Sequence, residues 1–279
     1  MPCEKDVPLS RFSTHDIATE VINRGIVAQI SDSTVWRWLH EDAIKPWQYR
    51  SWIFPRDPLF EEKAERVLDL YHGSWQGQPL RADEFVISAD EKTSIQVRYR
   101  KHPTLAPQPG KRMRVEHEYQ RCGSLVYIAA WDINRAKLFG RCETKSGIIP
   151  FQRLVSDVMS QEPYCSARRV FWIVDNGSSH RGQPSINRMK ALCPRVTLVH
   201  LPIHASWLNQ IEIYFSILQR KVLSPNDFNS IKDLSTRINE FQLRYETFAK
   251  PFEWKFTKAD LSKLMEKLSS KSIPVLLRA

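Results

Sequence analysis

The sequence has no long apolar run and no paired-cysteine pattern. No stretch of 18 or more apolar side chains occurs in its 279 residues, so no membrane-spanning segment is predicted. The first residues do not show the charged and then apolar order of an export signal. The five cysteines include no CxxC pair, which argues against a disulfide framework or a zinc site. We therefore expect a cytoplasmic protein that does not interact with a membrane.

Basic residues outnumber acidic residues, and the excess is confined to one part of the chain. The formal net charge is +10. Residues 1–83 carry 10 Lys and Arg against 13 Asp and Glu, whereas residues 84–279 carry 31 against 18. This distribution favours a polyanionic partner such as DNA, bound through residues 84–279.

Two short helices are predicted near the N-terminus. Residues 13–25 and 31–46 each begin with cap-competent Ser or Thr side chains and continue with apolar residues at helical spacing. This layout is typical of a helix-turn-helix, in which Ser33, Thr34 and Arg37 of the second helix would contact DNA. A plain helical pair without a DNA role is the alternative interpretation.

Changes in composition suggest four regions. Prolines and tryptophans interrupt the helical pattern after residue 46, which indicates a linker. Helical spacing resumes over residues 59–72. We therefore expect an all-α helix-turn-helix domain (1–46), a linker with a connecting helix (47–83), an α/β domain (84–248) and a C-terminal helical tail (249–279).

The third region alternates between strand and helix patterns. Strands are predicted over the segments 85–90, 124–132, 136–143, 169–175 and 196–202. A helix over 150–160 separates the third and fourth strands, so the later strands should be parallel. The run from Val170 to Val174 is apolar without alternation, as expected for a central strand covered on both faces.

Three acidic residues occupy positions in these predicted elements at which their side chains could meet. Asp90 and Asp175 end strands, and Glu212 lies in an apolar helix predicted to begin near residue 204. Each acid alone has an ordinary explanation, as a turn residue or a solvated helix residue. Because the carboxyl ends of such strands open on a ligand crevice, the three carboxylates could converge, and their repulsion would then require a cation. Carboxylate oxygens suit Mg²⁺ or Mn²⁺, and a pair of such ions supports phosphodiester hydrolysis.

The residues around these acids resemble a known family. The blocks SADEKTS around Asp90, VDNGSSHRG around Asp175 and HLPIHASWLNQIEIYF around Glu212 are similar to the signature blocks of the DDE transposases of the mariner superfamily, particularly its bacterial insertion-sequence branch. The resemblance covers the chain from about residue 10 to residue 262. Asp175 and Glu212 are separated by 36 residues, and about 35 is typical of that family.

The resemblance implies a fold and an activity. The fold would be a ribonuclease H-like (retroviral integrase-like) catalytic domain preceded by the helix-turn-helix domain. Asp90, Asp175 and Glu212 would hold two Mg²⁺ ions, nick transposon ends and transfer the freed 3′-hydroxyl into target DNA, often at a TA dinucleotide. The protein would act as a homodimer on terminal inverted repeats, in the nucleoid region of a bacterial cytoplasm. An inactive DNA-binding remnant and a structure-specific endonuclease of the same fold are the alternatives.

Several neighbours of the acids are weaker candidates. His180 and Arg181 could contact the scissile phosphate or flanking DNA, although a packed, hydrogen-bonded histidine is the ordinary alternative. Asn209 is expected one helical turn before Glu212, on a polar stripe that turns that carboxylate toward the crevice and toward DNA.

Two other acids compete with the three candidates. Asp132 is predicted at a hairpin turn, where a structural role explains it. Glu91 would face away from Asp90 if the strand continued.

A basic segment from Lys92 to Val115 contains several prolines and no acid. A solvated loop is the ordinary interpretation. In the resembled family a loop at this position clamps the partner subunit, so Arg100, Lys101, Lys111 and Arg112 are predicted to bridge DNA or a second subunit. Family members usually carry two helix-turn-helix units, and the sequence has room for one before the linker, which suggests a truncated N-terminus.

Overall fold

The computed structural model describes residues 9, 11–41, 55–177, 180 and 182–270. The chain divides into two compact units, Met1–Phe54 and Pro55–Ala279. No helix within the described ranges has the length and apolar composition needed to cross a bilayer.

Two helices form the described part of the first unit. They are α1 (Thr14–Asn23) and α2 (Asp32–Glu41). Ser13 caps α1 in a reciprocal arrangement, in which its hydroxyl accepts from the backbone N–H of Asp16 and its own N–H donates to the Asp16 carboxylate. Both predicted helices are therefore present, and Ala18 and Val35 are their buried residues.

The second unit alternates helices and strands. Its elements in chain order are α3 (Phe60–Tyr71), β1 (Ser74–Trp75), β2 (Gln78–Pro79), β3 (Glu84–Tyr99), β4 (Gln120–Asp132), β5 (Lys137–Glu143), α4 (Ile148–Met159), β6 (Arg169–Val174), α5 (Gly182–Leu192), β7 (Val196–His200), a 3₁₀ helix (Ser206–Leu208), α6 (Ile211–Lys221), α7 (Ile231–Glu246) and α8 (Lys258–Ser270).

A five-stranded mixed sheet forms the centre of this unit. The strand order is β5-β4-β3-β6-β7, in which β5, β4 and β3 pair antiparallel while β3, β6 and β7 pair parallel. The five predicted strands and the parallel later strands are confirmed. The helix predicted between the third and fourth strands is confirmed as α4.

Both faces of the sheet are covered by helices. One apolar core contains buried residues of α3, α6, α7 and α8 packed against the sheet, and the other contains residues of α4 and α5. Successive residues of β6 alternate between the two cores, with Phe171 and Ile173 in the first and Trp172 in the second. The absence of polar alternation in this strand therefore reflects burial on both sides.

The first long strand, β3, does not end at Asp90 as the sequence predicted. It continues to Tyr99 and pairs with β4 along most of its length, with register shifts between Lys92 and Ile95 and between Gln96 and Arg98. Ile95 and Val97 are buried in the core on the α6 side. Their alternation with polar residues is a strand pattern that the surrounding basic residues obscured. The basic connection between β3 and β4 is therefore shorter than the sequence predicted, and it runs from residue 100 to residue 119.

Asp132 occupies a buried turn position at the end of β4. Its Oδ1 accepts from the backbone N–H groups of Asn134 and Arg135 at 3.1 and 2.9 Å, and its Oδ2 accepts from the Tyr164 hydroxyl at 2.7 Å. These three donors satisfy both oxygens of the Asp132 carboxylate, which confirms that this acid has a structural role.

Candidate active site

Three structural elements bring the predicted acids toward one place. Asp90 lies in β3, Asp175 directly follows β6, and Glu212 lies in the first turn of α6. Because β3 and β6 are parallel neighbours, both strands run toward the same edge of the sheet. All three carboxylates are half-buried.

The charges of the three acids act on one another. Burial is the main cause that raises the pKa of Asp90 to about 7, and the negative charges of Asp175, Glu212 and Glu91 raise it further. Burial also raises the pKa of Glu212, where the negative charge of Asp175 adds to the effect and the positive charge of Lys92 opposes it. The carboxylates of Asp90, Asp175 and Glu212 are therefore near enough for their charges to affect one another's pKa.

Asn209 connects α6 to β3. Its Nδ2 donates to the carbonyl oxygen of Ala89 at 3.0 Å and to Oδ2 of Asp90 at 3.2 Å. Its Oδ1 accepts from the Ser88 hydroxyl, which in turn accepts from the backbone N–H of Ile211 at 2.9 Å. The first turn of α6, which carries Glu212, is thereby held against the strand that carries Asp90.

The sequence predicted that Asn209 lies within the helix that carries Glu212. In the structure it lies between two helices. It follows the 3₁₀ helix with extended backbone angles, and α6 begins two residues later. Tyr71 of α3 stabilises this break, since its hydroxyl donates to the carbonyl of Leu208 at 2.6 Å and accepts from the N–H of Gln210 at 3.3 Å. The stripe interpretation was wrong because the interruption places Asn209 against the strand, where it is 1% exposed.

The turn after β6 fixes the carboxylate of Asp175. Its Oδ1 accepts from the backbone N–H of Gly177 at 2.8 Å. A Cβ atom at position 177 would lie 2.9 Å from the same oxygen, so the turn requires glycine to approach the carboxylate this closely. The asparagine between them donates from Nδ2 to the carbonyl of Leu201 at 2.6 Å, which ties the turn to the end of β7.

His180 lies on the face of the sheet that α4 covers, opposite to the face on which Asp90 contacts Asn209. Its ring centroid is 4.1 Å from that of Phe151, and its Nε2 is 3.6 Å from Oε1 of Glu91. Glu91 therefore faces away from Asp90, as strand alternation predicts. Burial lowers the pKa of His180 to about 4, with the nearby His200 and Arg188 adding to the effect while Asp175 opposes it. His180 is neutral near pH 7 and 1% exposed.

The remaining predicted DNA-binding residues are dispersed. Ser33 and Arg37 are exposed in the first unit, and Thr34 is half-buried there. Arg181 lies outside the residues that the structure describes.

The connection between β3 and β4 contains a small hairpin over residues 105–114, which carries Lys111 and Arg112 and is preceded by Arg100 and Lys101. Antiparallel bridges pair Leu105 with Arg114 and Gln108 with Lys111. Lys101, Lys111 and Arg112 are exposed. Arg100 is half-buried, and its guanidinium donates to the carbonyl oxygens of Glu116 and Asn226.

Four residues of this site were not predicted as part of it, namely Tyr71, Ser88, Glu91 and Lys92. Ser88 had a recognisable signal, because it is a polar residue at a fully buried position of an otherwise apolar strand. Tyr71 had none, since its partners are 137 and 139 residues further along the chain.

The donor set suits a hard divalent cation. Asp90, Asp175 and Glu212 supply carboxylate oxygens, and the pKa of Asp90 is raised first by burial and then by the negative charges of its neighbours. In the described part of the chain, no three His, Cys, Asp or Glu side chains are arranged to hold an ion by themselves. Mg²⁺ is commonly held by one or two carboxylates, with water and substrate phosphates as its other ligands.

Comparisons with known proteins identify the family and the fold. Residues 86–235 match the family model described as DDE superfamily endonuclease. A crystal structure of the Mos1 mariner paired end complex with Mn is 14% identical, over 95% of this chain and 79% of that chain, with a TM-score of 0.52. The corresponding complex with Mg is 13% identical, over 96% and 80%, with a TM-score of 0.52. A pre-cleavage Mos1 transpososome has the same identity and coverages, with a TM-score of 0.50.

At these identities the structural likeness concerns the fold. The predicted ribonuclease H-like α/β fold is confirmed by it. No curated protein matches the chain.

The carboxylate repulsion should be visible in the pH dependence of stability. Since the pKa of Asp90 rises from an ordinary 3.8 to about 7, the folded protein retains a proton that the unfolded chain loses. The resulting stability is present below about pH 4 and is lost as the pH rises toward 7. With a chelator present, the free energy of unfolding should fall over this range by on the order of 2 kcal/mol more in the wild type than in Asp90→Asn. Chemical denaturation at several pH values measures this difference.

The exposed residue Glu266 provides the control, because Glu266→Gln should retain the wild-type pH dependence. If Asp90→Asn and the wild type show the same pH dependence, Asp90 does not experience the burial and repulsion described here.

Proposed function

Because this chain belongs to the DDE superfamily of endonucleases, we propose that it is a DNA transposase that nicks transposon ends and joins the freed 3′-hydroxyl to target DNA. The first reaction forms a bond between a water oxygen and phosphorus and breaks the bond to the 3′-oxygen. In the second, the 3′-hydroxyl oxygen attacks a phosphorus atom of the target strand, and the target's own 3′-oxygen leaves. Phosphodiester bonds are exchanged, and no external energy source is needed.

The observation that carries this proposal is the electrostatic coupling of Asp90, Asp175 and Glu212. A structural carboxylate in this fold, such as Asp132, is surrounded by hydrogen-bond donors. Asp90 also accepts hydrogen bonds, from the backbone N–H of Glu91 and from Nδ2 of Asn209, but burial raises its pKa and the charges of three other acids raise it further. A cluster of this kind is costly without a cation and is typical of a functional site.

We propose that the three acids hold two Mg²⁺ or Mn²⁺ ions. The solved Mos1 complexes with Mg and with Mn support divalent ions as the cofactor class. When bound, such ions activate a water nucleophile and stabilise the leaving oxygen.

The chain's own residues would orient the acids for this chemistry. Asn209 holds Oδ2 of Asp90, and the N–H of Gly177 holds Oδ1 of Asp175. Ser88 fixes the first turn of α6 and therefore the position of Glu212. Preorganised ligands of this kind reduce the cost of assembling the site when DNA arrives.

We propose two separate DNA-contacting surfaces. The α1–α2 unit would read sequence in the terminal inverted repeats through Ser33, Thr34 and Arg37, as a helix-turn-helix does. Lys111 and Arg112 of the hairpin, together with the preceding Lys101, would contact phosphates or a second subunit of a homodimer. A TA target is carried over from the family resemblance.

The central test is replacement of each acid. Asp90→Ala, Asp175→Ala and Glu212→Ala should each reduce Mg²⁺-dependent nicking of terminal-repeat DNA by a factor of at least about 10³, because each removes a metal ligand. DNA binding without divalent ions should be largely retained, since phosphates are held mainly by basic residues. A gel assay with end-labelled DNA measures nicking, and fluorescence anisotropy measures binding.

Glu266→Ala is the matched control and should nick as the wild type does. Retained cleavage in any one acid variant would remove that residue from the site. An inactive wild type that still binds terminal repeats would favour the remnant. Nicking that depends on DNA structure without strand transfer would favour the endonuclease.

The two DNA-contacting surfaces should respond differently to mutation. Replacing Lys111 and Arg112 together with Gln should weaken binding to every sequence and lower the slope of log affinity against log salt by about 0.9 per lost phosphate contact, or else reduce dimerisation. Arg37→Ala should remove about 1–3 kcal/mol of preference for the terminal repeat over scrambled DNA. Competition binding and sedimentation measure both effects. Unchanged salt slope, oligomeric state and sequence preference would contradict these assignments.

A further inference from the structure

A polar groove of about 340 Å³ lies beside the candidate active site. It is formed where β3 continues past the acids, together with the start of β4, the end of α6 and the segment after it. Three cations line it, Lys92, Arg98 and Arg121, and none of its described lining residues is an acid. The groove therefore has one sign of charge, opposite to that of the catalytic acids.

Two of these cations are placed against each other. Arg98 and Arg121 are cross-strand partners in the β3–β4 register. Like charges directly opposite each other on neighbouring strands destabilise a sheet. Nothing in the strand pairing itself requires two arginines here, so their juxtaposition has a cost that a bound anion would offset.

Arg98 is held in place while retaining donor capacity. Its guanidinium carbon lies 4.6 Å from the centroid of the Tyr119 ring. The backbone on either side is fixed, because the N–H of Arg98 donates to Oδ1 of Asn226 at 3.0 Å and its carbonyl accepts from Phe228 at 3.2 Å. Its Nε is buried and has no hydrogen-bond partner in the described part of the chain. Arg98 therefore has a fixed backbone and a ring contact, and no acidic side chain neutralises its charge among the lining residues of the groove.

The groove begins close to the candidate active site in the sequence, at Lys92. Lys92 follows Asp90 by two residues on the same strand, so the two side chains project from the same face of the sheet. The first irregularity in the strand begins directly after Lys92, and Ser94 there has a positive φ of 56°. Such bulges redirect a strand and its side chains. A chain of phosphates leaving the acids would therefore meet Lys92 first and the two arginines next.

We propose that this groove binds the phosphate backbone of the DNA strand adjacent to the scissile bond, with Lys92, Arg98 and Arg121 as its phosphate ligands. The inference rests on the proposed function for the identity of the polyanion. It differs from the hairpin assignment because these three cations lie on the sheet itself, next to the acids.

The like-charge pair provides a sharp test. Arg121→Glu converts the repulsive pair with Arg98 into an attractive one, so the free energy of unfolding should be unchanged or higher. The same change should weaken binding to duplex DNA by roughly fivefold or more at physiological salt, and it should lower the slope of log affinity against log salt by about 0.9 or more. Arg121→Lys keeps the charge and should retain the wild-type slope. Binding is measured by fluorescence anisotropy on the full chain without divalent ions.

Lys263→Glu is the matched control, since it reverses an exposed charge on α8, and no residue of α8 lines the groove. It should bind DNA with nearly the wild-type slope. The proposal is overturned if Arg121→Glu leaves affinity and slope unchanged, or if Lys263→Glu reduces them equally. Should Arg121→Glu fail to fold, a wild-type slope in Arg121→Gln would overturn it instead.

The test separates this inference from the proposed function. Groove variants that lose binding in a protein whose wild type does not nick would support the groove and contradict only the catalytic proposal. Normal nicking by the wild type with unaffected binding in the groove variants would contradict only the groove.

Discussion

The buried carboxamide of Asn209 is the contact on which the site depends. It hydrogen-bonds to Ser88, Ala89 and Asp90 of β3, and Ser88 in turn holds the N–H of Ile211. Each such buried bond contributes about 1 kcal/mol net, and leaving one partner unsatisfied costs about 1–3 kcal/mol. These bonds therefore determine where the helix that carries Glu212 begins, relative to the strand that carries Asp90.

The region around Asn209 is held by these hydrogen bonds, but it also contains two groups of like charges that repel one another. Asp90, Asp175 and Glu212 repel one another, whereas Arg98 and Arg121 repel each other along the neighbouring strand pair. Neither cluster stabilises the isolated protein. A cluster of acids lies at the sheet edge, and a cluster of cations lies beside it. This pair of clusters fits a ligand that both binds metal ions and carries many negative charges. A DNA phosphate backbone with bound divalent ions has both properties. The repulsion between like charges destabilises the folded protein at this site, and the burial of apolar side chains in the two cores offsets that loss.

Much of the fold could be predicted because its signals are local. The five strands, α4 and the unalternated apolar run of β6 follow from hydrophobic periodicity. Asp175 was recognisable from its position at the end of a strand, whereas Asp90 was assigned to a strand end that the structure places nine residues later. The signals that failed depend on distant partners. Nothing near Asn209 in the sequence shows that Tyr71 interrupts the helix before it, and nothing near His180 shows that Glu91 and Phe151 enclose it. In β3 the alternating residues Ile95 and Val97 were present, but the basic residues on either side of them, such as Lys92 and Arg98, suggested a loop.

We propose that Asp90, Asp175 and Glu212 together coordinate divalent metal ions when DNA is bound. The most direct measurement is anomalous diffraction from crystals of the full chain grown with duplex DNA and Mn²⁺. We expect anomalous peaks within about 2.5 Å of carboxylate oxygens of Asp90 and of at least one of Asp175 and Glu212, with a DNA phosphate oxygen as a further ligand. Ordered Mn²⁺ bound elsewhere in the chain, with these three carboxylates uncoordinated beside the DNA, would contradict the account.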